Sequence, residues 1–321
     1  MSNIRFSVAL CTHNGGRYLQ EQLDSIGGQT LRPHELIVCD DLSNDDTLDI
    51  LKRFSVHAQF PVNINVNSKR LGVVKNFESA IAQCSGEFVA LSDQDDLWFP
   101  DKLQKLAVEL RSPDILAVFS DAEIVSADLA RMDKSIWQRV GFNQREQDLV
   151  KSNCSFSVFL KHHVVTGATL AFKKSLCRYA LPIPSSWAHD AWLAIIASAF
   201  GRVSAVSERL VAYRQHDNNV VGAKTSGLLD DVIRALSIDR ESWYRSEILR
   251  WNELQQRLQN SNRISAEYRL LEEKIEHISI RATLPKSRWR RIPTIVAEVR
   301  NKNYKKYARN WGSMAIDLLV K

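Results

Sequence analysis

The chain begins with a run of apolar positions, Phe6–Thr12 (FSVALCT), that stops at the polar, glycine-bearing stretch His13-Asn14-Gly15-Gly16. A short run that is apolar on successive residues and bounded by turn residues predicts a strand buried on both faces. Tyr18, Leu19, Gln22, Leu23 and Ile26 then recur at helical spacing. Glu35–Cys39 predicts a second strand, ended by Asp40-Asp41. Ser43 or Asn44 is placed to cap the next helix, with Asp45 and Asp46 in its first turn and Leu48, Leu51 and Phe54 on its inner face. Val62–Val66 predicts a third strand. Val73/Val74, Phe77 and Ala80/Ile81 mark a helix entered after Gly72. Glu87–Ser92 predicts a fourth strand, followed by a helix whose first turn suits Pro100, and Leu116–Ser120 a fifth strand.

This alternation of apolar strands and amphipathic helices predicts an α/β fold, with a mainly parallel central sheet flanked by helices. In such sheets ligands gather beyond the carboxyl ends of the strands. Here those ends carry Thr12-His13-Asn14, Asp40-Asp41 and Asp93-Gln94-Asp95-Asp96. Between residues 121 and 165 the pattern weakens, as in a loop-rich acceptor region. Thr166–Phe172 and Val203–Val206 predict further strands, and Ala191–Phe200, apolar all round, a buried helix. Beyond residue 226 the texture changes to long helices. Tyr244, Ile248, Trp251, Gln255 and Leu258 step at helical spacing, as do Ile264, Tyr268, Leu271, Ile275 and Ile278, with Asn260-Ser261-Asn262 between them as the turn of a helical hairpin. The organisation expected is a domain over residues 1–225 and a helical extension over 226–321.

With 45% apolar and 25% charged residues, the 321-residue chain can bury a sizeable core. It has no run of eighteen apolar residues, so no membrane-spanning helix is expected, and the short apolar run at the start suits a first strand better than a signal peptide. Five scattered cysteines without a C-x-x-C suggest buried thiols in a reducing cytoplasm. The net charge of +6 is a property of the tail. From Arg281 to Lys321 eleven Lys and Arg face only Glu298 and Asp317, which leaves the rest of the chain slightly acidic and argues against nucleic acid as the main substrate.

The acidic stretch Asp93-Gln94-Asp95-Asp96 can be read in two ways. Carboxylates at a strand end suit Mg2+ or Mn2+, with substrate phosphates completing the shell; equally, a solvated turn with Asp96 capping the next helix needs no ion. Asp40 can accept from a pyrimidine N3–H or a ribose hydroxyl, or belong to a cap. In His189-Asp190, ahead of the buried helix, Asp190 can serve as a general base or as a cap. His216 can be a neutral imidazole ligand or a surface histidine.

Six stretches in this order, VALCTHNGGRYLQEQLDSI, IVCDDLSNDDT, LGVVKNFESAI, FVALSDQDDLWFPDKL, VVTGATLAFKK and HDAWLAIIASAFGRV…LVAYRQHDNNVVG, resemble the inverting family 2 glycosyltransferases of GT-A fold, closest to bacterial rhamnosyltransferase-like members. The resemblance covers residues 5–222; residues 228–321 carry none. It implies a nucleotide lying across the first strand ends, lined by Thr12 and Asn14, with Asp40 near the base and Lys75 and Asn76 on the nucleotide half of the donor. It also implies Asp93 and Asp95 as the D-x-D that meets ribose and a Mg2+ or Mn2+ ion, with His216 as a further ligand. Asp190 is implied as catalytic base, and His189, Thr166, Gly167 and Asp96 on the acceptor side. The donor implied is dTDP-rhamnose or a UDP-sugar, and the acceptor a glycan or lipid-linked saccharide of a bacterial surface polysaccharide such as O-antigen. The place implied is the cytoplasm, at the inner face of the cytoplasmic membrane.

The tail KSRWRRIPTIVAEVRNKNYKKYARNW mixes cations with aromatics in a way that suits an anionic membrane surface, while RNA, a solvated helical face or a subunit contact stays open. Two rival readings of the whole chain are weaker. A nucleotidyltransferase would want a lysine near the loop His13-Asn14-Gly15-Gly16, and a non-catalytic sugar-nucleotide-binding module would not keep every candidate base and ligand.

Overall fold

The computed structural model describes residues 4–216, 240–261, 266–308 and 311–319. The expected domain boundary at 225/226, Asn262 of the expected turn and Ile264 of the last expected helix lie outside them. The chain divides into two compact units, one of Met1–Ser155 with Val164–Asn219, the other of Phe156–His163 with Val220–Lys321.

The first unit is built on one sheet: β1 (Phe6–Thr12), β2 (Glu35–Asp40), β3 (Val62–Val66), β4 (Phe88–Ser92), β5 (Leu97–Trp98), β6 (Ile115–Val125), β7 (Arg131–Ser135), β8 (Leu170–Lys173) and β9 (Arg202–Arg214). The strands follow the order β3-β2-β1-β4-β8-β6-β9-β5, with β7 on β6. β3, β2, β1 and β4 are mutually parallel, as the β-α alternation requires. β8 then runs antiparallel between β4 and β6, while β9 lies parallel to β6 and antiparallel to β5. Helices α1 (Gly16–Gly27), α2 (Thr47–His57), α3 (Val73–Gln83) and α4 (Lys102–Leu110) connect the strands, and α9 (His189–Phe200) precedes β9.

Burial explains these choices. β1 places Phe6, Val8, Ala9 and Leu10 wholly out of water, and each larger side chain so buried contributes about 1.5–3 kcal/mol. α1 buries Tyr18, Leu19, Gln22, Leu23 and Ile26, the residues its spacing marked, and α9 is buried on nearly every side. A rigid frame of this kind can carry acidic strand ends whose mutual repulsion would unsettle a looser structure.

Three local expectations change. Ser43 does not cap α2, which starts at Thr47 behind Asp46; Ser43 is held instead by the Asp40 carboxylate. Asp96 does not cap α4, whose N-cap is Asp101. Residues 121–165, expected to be mostly loop, contain β7, α5 (Ile136–Val140), α6 (Gln144–Lys151) and α7 (Ser155–Lys161). A helix α8 (Cys177–Ala180) follows β8.

The second unit holds α10 (Arg240–Gln259), α11 (Ala266–Ala282), α12 (Arg288–Arg300), α13 (Asn303–Tyr307) and α14 (Trp311–Leu319). Asp317, wholly buried on α14, accepts from Tyr244 Oη at 2.5 Å, Arg281 Nε at 2.6 Å and Tyr304 Oη at 2.7 Å. Arg291 donates to the Asp317 backbone carbonyl at 2.8 Å. This one residue therefore ties α14 to α10, α11, α12 and α13. No helix of the described residues is long and apolar enough to cross a membrane.

Candidate active site

Parallel register brings the strand ends level: Thr12 stands opposite Asp40, and Leu10 opposite Ser92. Thr12 Oγ1 donates to Asp40 Oδ2 at 2.7 Å, and Ser43 donates to the same carboxylate through N at 2.8 Å and Oγ at 2.5 Å. Asp40 is 0% exposed and Asn76 3%. Asn76 donates to the Cys39 carbonyl at 2.8 Å and accepts from Asn67 Nδ2 at 2.8 Å. The Asp40 and Asn76 side chains, expected among the groups that touch the donor, bond within the protein at this edge, as does Thr12, itself 2% exposed. The neighbouring Asp41 accepts from Leu71 N at 2.7 Å, Gly72 N at 2.9 Å and Asn67 Nδ2 at 2.9 Å. Burial alone would raise its pKa, but these bonds and nearby Arg70 hold the carboxyl below its usual range. Asn14 is exposed, in the left-handed region at φ 50, and accepts from Asn44 N at 2.9 Å. Lys75 bonds Ile183 O at 2.7 Å and Glu78 Oε2 at 2.9 Å.

The acidic loop after β4 is fastened on two sides. Gln94 accepts from His13 N at 2.8 Å and donates to His13 O at 3.1 Å. A Cβ on Gly15 would come within 2.2 Å of Gln94 Oε1, so a side chain there would displace the amide that fastens the two loops. On the other side the β5–β9 ladder, Leu97 with Ala212 and Trp98 with Val211, brings the end of β9 against the loop. Arg214, 2% exposed, donates through N to Asp96 Oδ1 at 3.0 Å, through Nε to the Asp95 carbonyl at 2.9 Å and through Nη1 to Ala127 O at 2.5 Å. It also pairs with Glu21, and its guanidinium lies 4.4 Å from the centre of the Tyr18 ring. His216 follows, its Nε2 2.9 Å from Asp95 Oδ2 and its ring stacked on Tyr18 at 5.0 Å. Asp96, expected on the acceptor side, is 1% exposed, with its Oδ1 accepting from Arg214 N.

Asp190 stands in the first turn of α9. Its Oδ1 accepts from Ala191 N at 2.7 Å, and its Oδ2 from Gly167 N at 2.9 Å. The His189 ring lies flat on Phe77 at 4.0 Å. A Cβ on Gly167 would meet His189 Nε2 at 2.8 Å, so the close approach that delivers the Gly167 N–H to Asp190 again requires glycine. Thr166 turns the chain into this approach, its carbonyl accepting from Thr169 N at 2.9 Å.

Electrostatics join the two halves. Burial first, then the charges of Asp95 and Asp190, push the Asp93 carboxyl up to about 7, with Lys102 opposing. Asp96 is pushed well above the carboxylate range by burial, then by Asp95 and Asp93. Burial drives the Lys102 amine well below its ordinary value; its Nζ donates to Ala168 O at 2.7 Å and lies 3.4 Å from the Trp98 ring centre. Burial and the charges of Asp96, Asp93, Asp95 and Asp190 keep the Tyr213 phenol protonated. The site is thus short of positive charge. Asp93, Asp95 and His216 are oxygen and nitrogen donors of the type a Mg2+ or Mn2+ ion accepts. Among the described residues no three such side chains form a ready-made cage, which suits an ion that takes one or two carboxylates and leaves the rest of its shell to substrate phosphates.

Sequence reasoning named the carboxylates but missed Tyr18, Arg214, Tyr213 and Lys102. Lys102 was within reach, since it shares a helical line with Leu106 and Leu110, both buried in α4. Arg214 gave no such signal: its partners come from segments far apart in the chain.

A sequence model of glycosyl transferase family 2 matches residues 7–178. The dTDP-rhamnosyl transferase RfbG of Shigella flexneri is 28% identical over 251 residues, spanning 74% of this chain and 82% of that protein. Two solved structures share the fold. TarS 1-349 of S. aureus in complex with UDP-GlcNAc has a TM-score of 0.54 at 19% identity, covering 95% of this chain and 89% of that one. The mannosyltransferase PcManGT of Pyrobaculum calidifontis in complex with GDP-Man and Mn2+ has a TM-score of 0.53 at 19% identity, covering 98% and 85%.

Proposed function

The chain belongs to glycosyl transferase family 2 and is a glycosyltransferase of GT-A fold, and from that premise we propose that it moves a sugar from a nucleoside diphosphate to a hydroxyl of a glycan or lipid-linked saccharide, with inversion at the anomeric carbon. The observation that carries this reading is geometric: β8 runs antiparallel to β4 with Ala171 opposite Ala90, so the Gly167 N–H that holds Asp190, just ahead of β8, stands at the end of β4 that bears the D-x-D loop. A base for the acceptor and an anchor for the donor diphosphate then share one site.

The nucleotide lies across the ends of β1 and β2, against Thr12 and Asn14, with Asp40 near the base and Lys75 and Asn76 beside it. Asp190 accepts the proton of the acceptor hydroxyl, and the N–H groups of Gly167 and Ala191 keep its carboxylate aimed. The freed oxygen bonds to the anomeric carbon from the face opposite the diphosphate, which leaves with the electron pair of the broken C–O bond. No covalent intermediate on the protein is needed. A Mg2+ or Mn2+ ion held by Asp95, Asp93 and His216 would neutralise the departing diphosphate. Arg214 keeps Asp95 and His216 in place, and His189, Thr166 and Gly167 shape the acceptor side.

The similarity to a dTDP-rhamnosyl transferase favours dTDP-rhamnose over UDP-sugars as donor, and surface polysaccharide assembly at the inner face of the cytoplasmic membrane as the setting. A thermal-shift screen with Mn2+ across dTDP- and UDP-sugars tests this. The largest rise in Tm is expected with dTDP-rhamnose; a rise confined to UDP-sugars would refute the donor assignment, and none with any nucleotide would refute the site.

A further inference from the structure

The second unit shows a surface that sugar transfer does not explain. On α12 the side chains of Arg291, Ile295 and Glu298 face inward. Trp289, Ile292, Val296 and Val299, spaced i, i+3, i+7 and i+10, are 82%, 39%, 41% and 38% exposed. At about 100° per residue these four form one continuous apolar stripe on the water side of the helix. Both ends of the stripe are cationic: Lys286, Arg288 and Arg290 stand at its start, Arg300, Lys302 and Lys305 at its finish, all exposed. The two carboxylates in the tail are withdrawn from this surface. Glu298 is buried against His277 Nδ1 at 2.5 Å, and Asp317 against Arg281. The outer surface of the described tail residues therefore presents cations and apolar groups with no acid among them.

We propose that this face of α12 docks on an anionic lipid bilayer, with Trp289, Ile292, Val296 and Val299 entering the headgroup boundary and the flanking Arg and Lys pairing with lipid phosphates. The thirteen-residue helix is about 20 Å long, so it lies along the surface rather than across it. Charge complementarity selects the bilayer over a second copy of the chain, because a symmetric contact through this stripe would set the same cations against each other. Trp289, the most exposed residue of the four, has an amphipathic ring of the kind that settles at such a boundary. The proposal stands on the second unit alone and does not depend on the transfer reaction.

The test is co-sedimentation of the full chain with phosphatidylglycerol vesicles and with phosphatidylcholine vesicles. Partition is expected on the first and at least roughly tenfold weaker on the second. Removing both charges in Arg288→Gln/Arg290→Gln should weaken partition roughly 25-fold, at about fivefold per cation. Trp289→Ser/Val296→Ser, both at exposed positions, should reduce it at least roughly tenfold while leaving the melting curve unchanged. Equal partition on the two vesicles, or partition that neither double variant alters, overturns the proposal. So does a wild-type dimer on size exclusion that the stripe variant converts to monomer without any vesicle binding, and so does retention on RNA alone.

Discussion

Asp93 offers a test in which stability and function move in opposite directions. In the folded chain its carboxyl is pushed up to about 7, because burial, Asp95 and Asp190 all oppose its charge; in the unfolded chain it ionises near the ordinary aspartate value of 3.8. Between those values the folded state binds the extra proton, so stability falls as pH rises through the window and levels off above about 7. Roughly three pH units at about 1.36 kcal/mol each set a ceiling of about 4 kcal/mol. The high effective dielectric of real protein sites reduces the effect to about 1–2 kcal/mol. Asp93→Asn removes the charge and keeps the shape. In EDTA, melting curves from pH 4.5 to 8.5 should show the variant close to wild type at the acid end. Above pH 7 it should be more stable by about 2–8 °C. Transfer activity should be lost at every pH. A Tm difference that does not vary with pH, or a variant less stable than wild type at pH 8, would refute the claim that this site holds unneutralised negative charge.

Two further substitutions probe the supports. Gly167→Ala puts a methyl group 2.8 Å from His189 Nε2, against a ring that Phe77 prevents from retreating. Overpacking of this kind costs about 1–3 kcal/mol, and kcat should fall at least roughly tenfold with a native circular dichroism spectrum; wild-type kcat would show that the Gly167–Asp190 contact is dispensable. Asp317→Asn leaves Arg281 buried without its counter-charge, a loss of about 3–5 kcal/mol readable by urea denaturation of the second unit, and a change below about 0.5 kcal/mol would deny the residue its tying role.

Much of the first unit could be read from sequence because β1, β2 and β4 are unbroken apolar runs and α1–α4 keep helical spacing. Residues 121–165 could not, for physical reasons. α5 is five residues long, too short to display a 3.6-residue period, and β7 is a polar, exposed edge strand. One signal there was readable: Ser135-Ile136-Trp137-Gln138 is a capping box, with both reciprocal bonds formed. β9 extends from Arg202 to Arg214, well past the expected Val206, because its polar middle interrupts the apolar pattern. At the site, residue type drew attention to Asp93 and Asp95, while the roles expected of Asp190 and His216 came from the family resemblance. Residue type could not show that Asp40, Asn76 and Asp96 are sealed beneath the surface, because Thr12, Asn67 and Arg214, which bond to them, come from other segments of the chain.

The central claim is that Asp190 takes the acceptor's proton in a site where other residues hold the donor. It is tested most directly by measuring Asp190→Asn for both steps, donor binding by titration with Mn2+ and transfer by release of free nucleoside diphosphate on adding acceptor. The account predicts donor affinity within roughly threefold of wild type and transfer reduced by about 10²–10⁴. Transfer near the wild-type rate, or donor binding lost together with transfer, would contradict it.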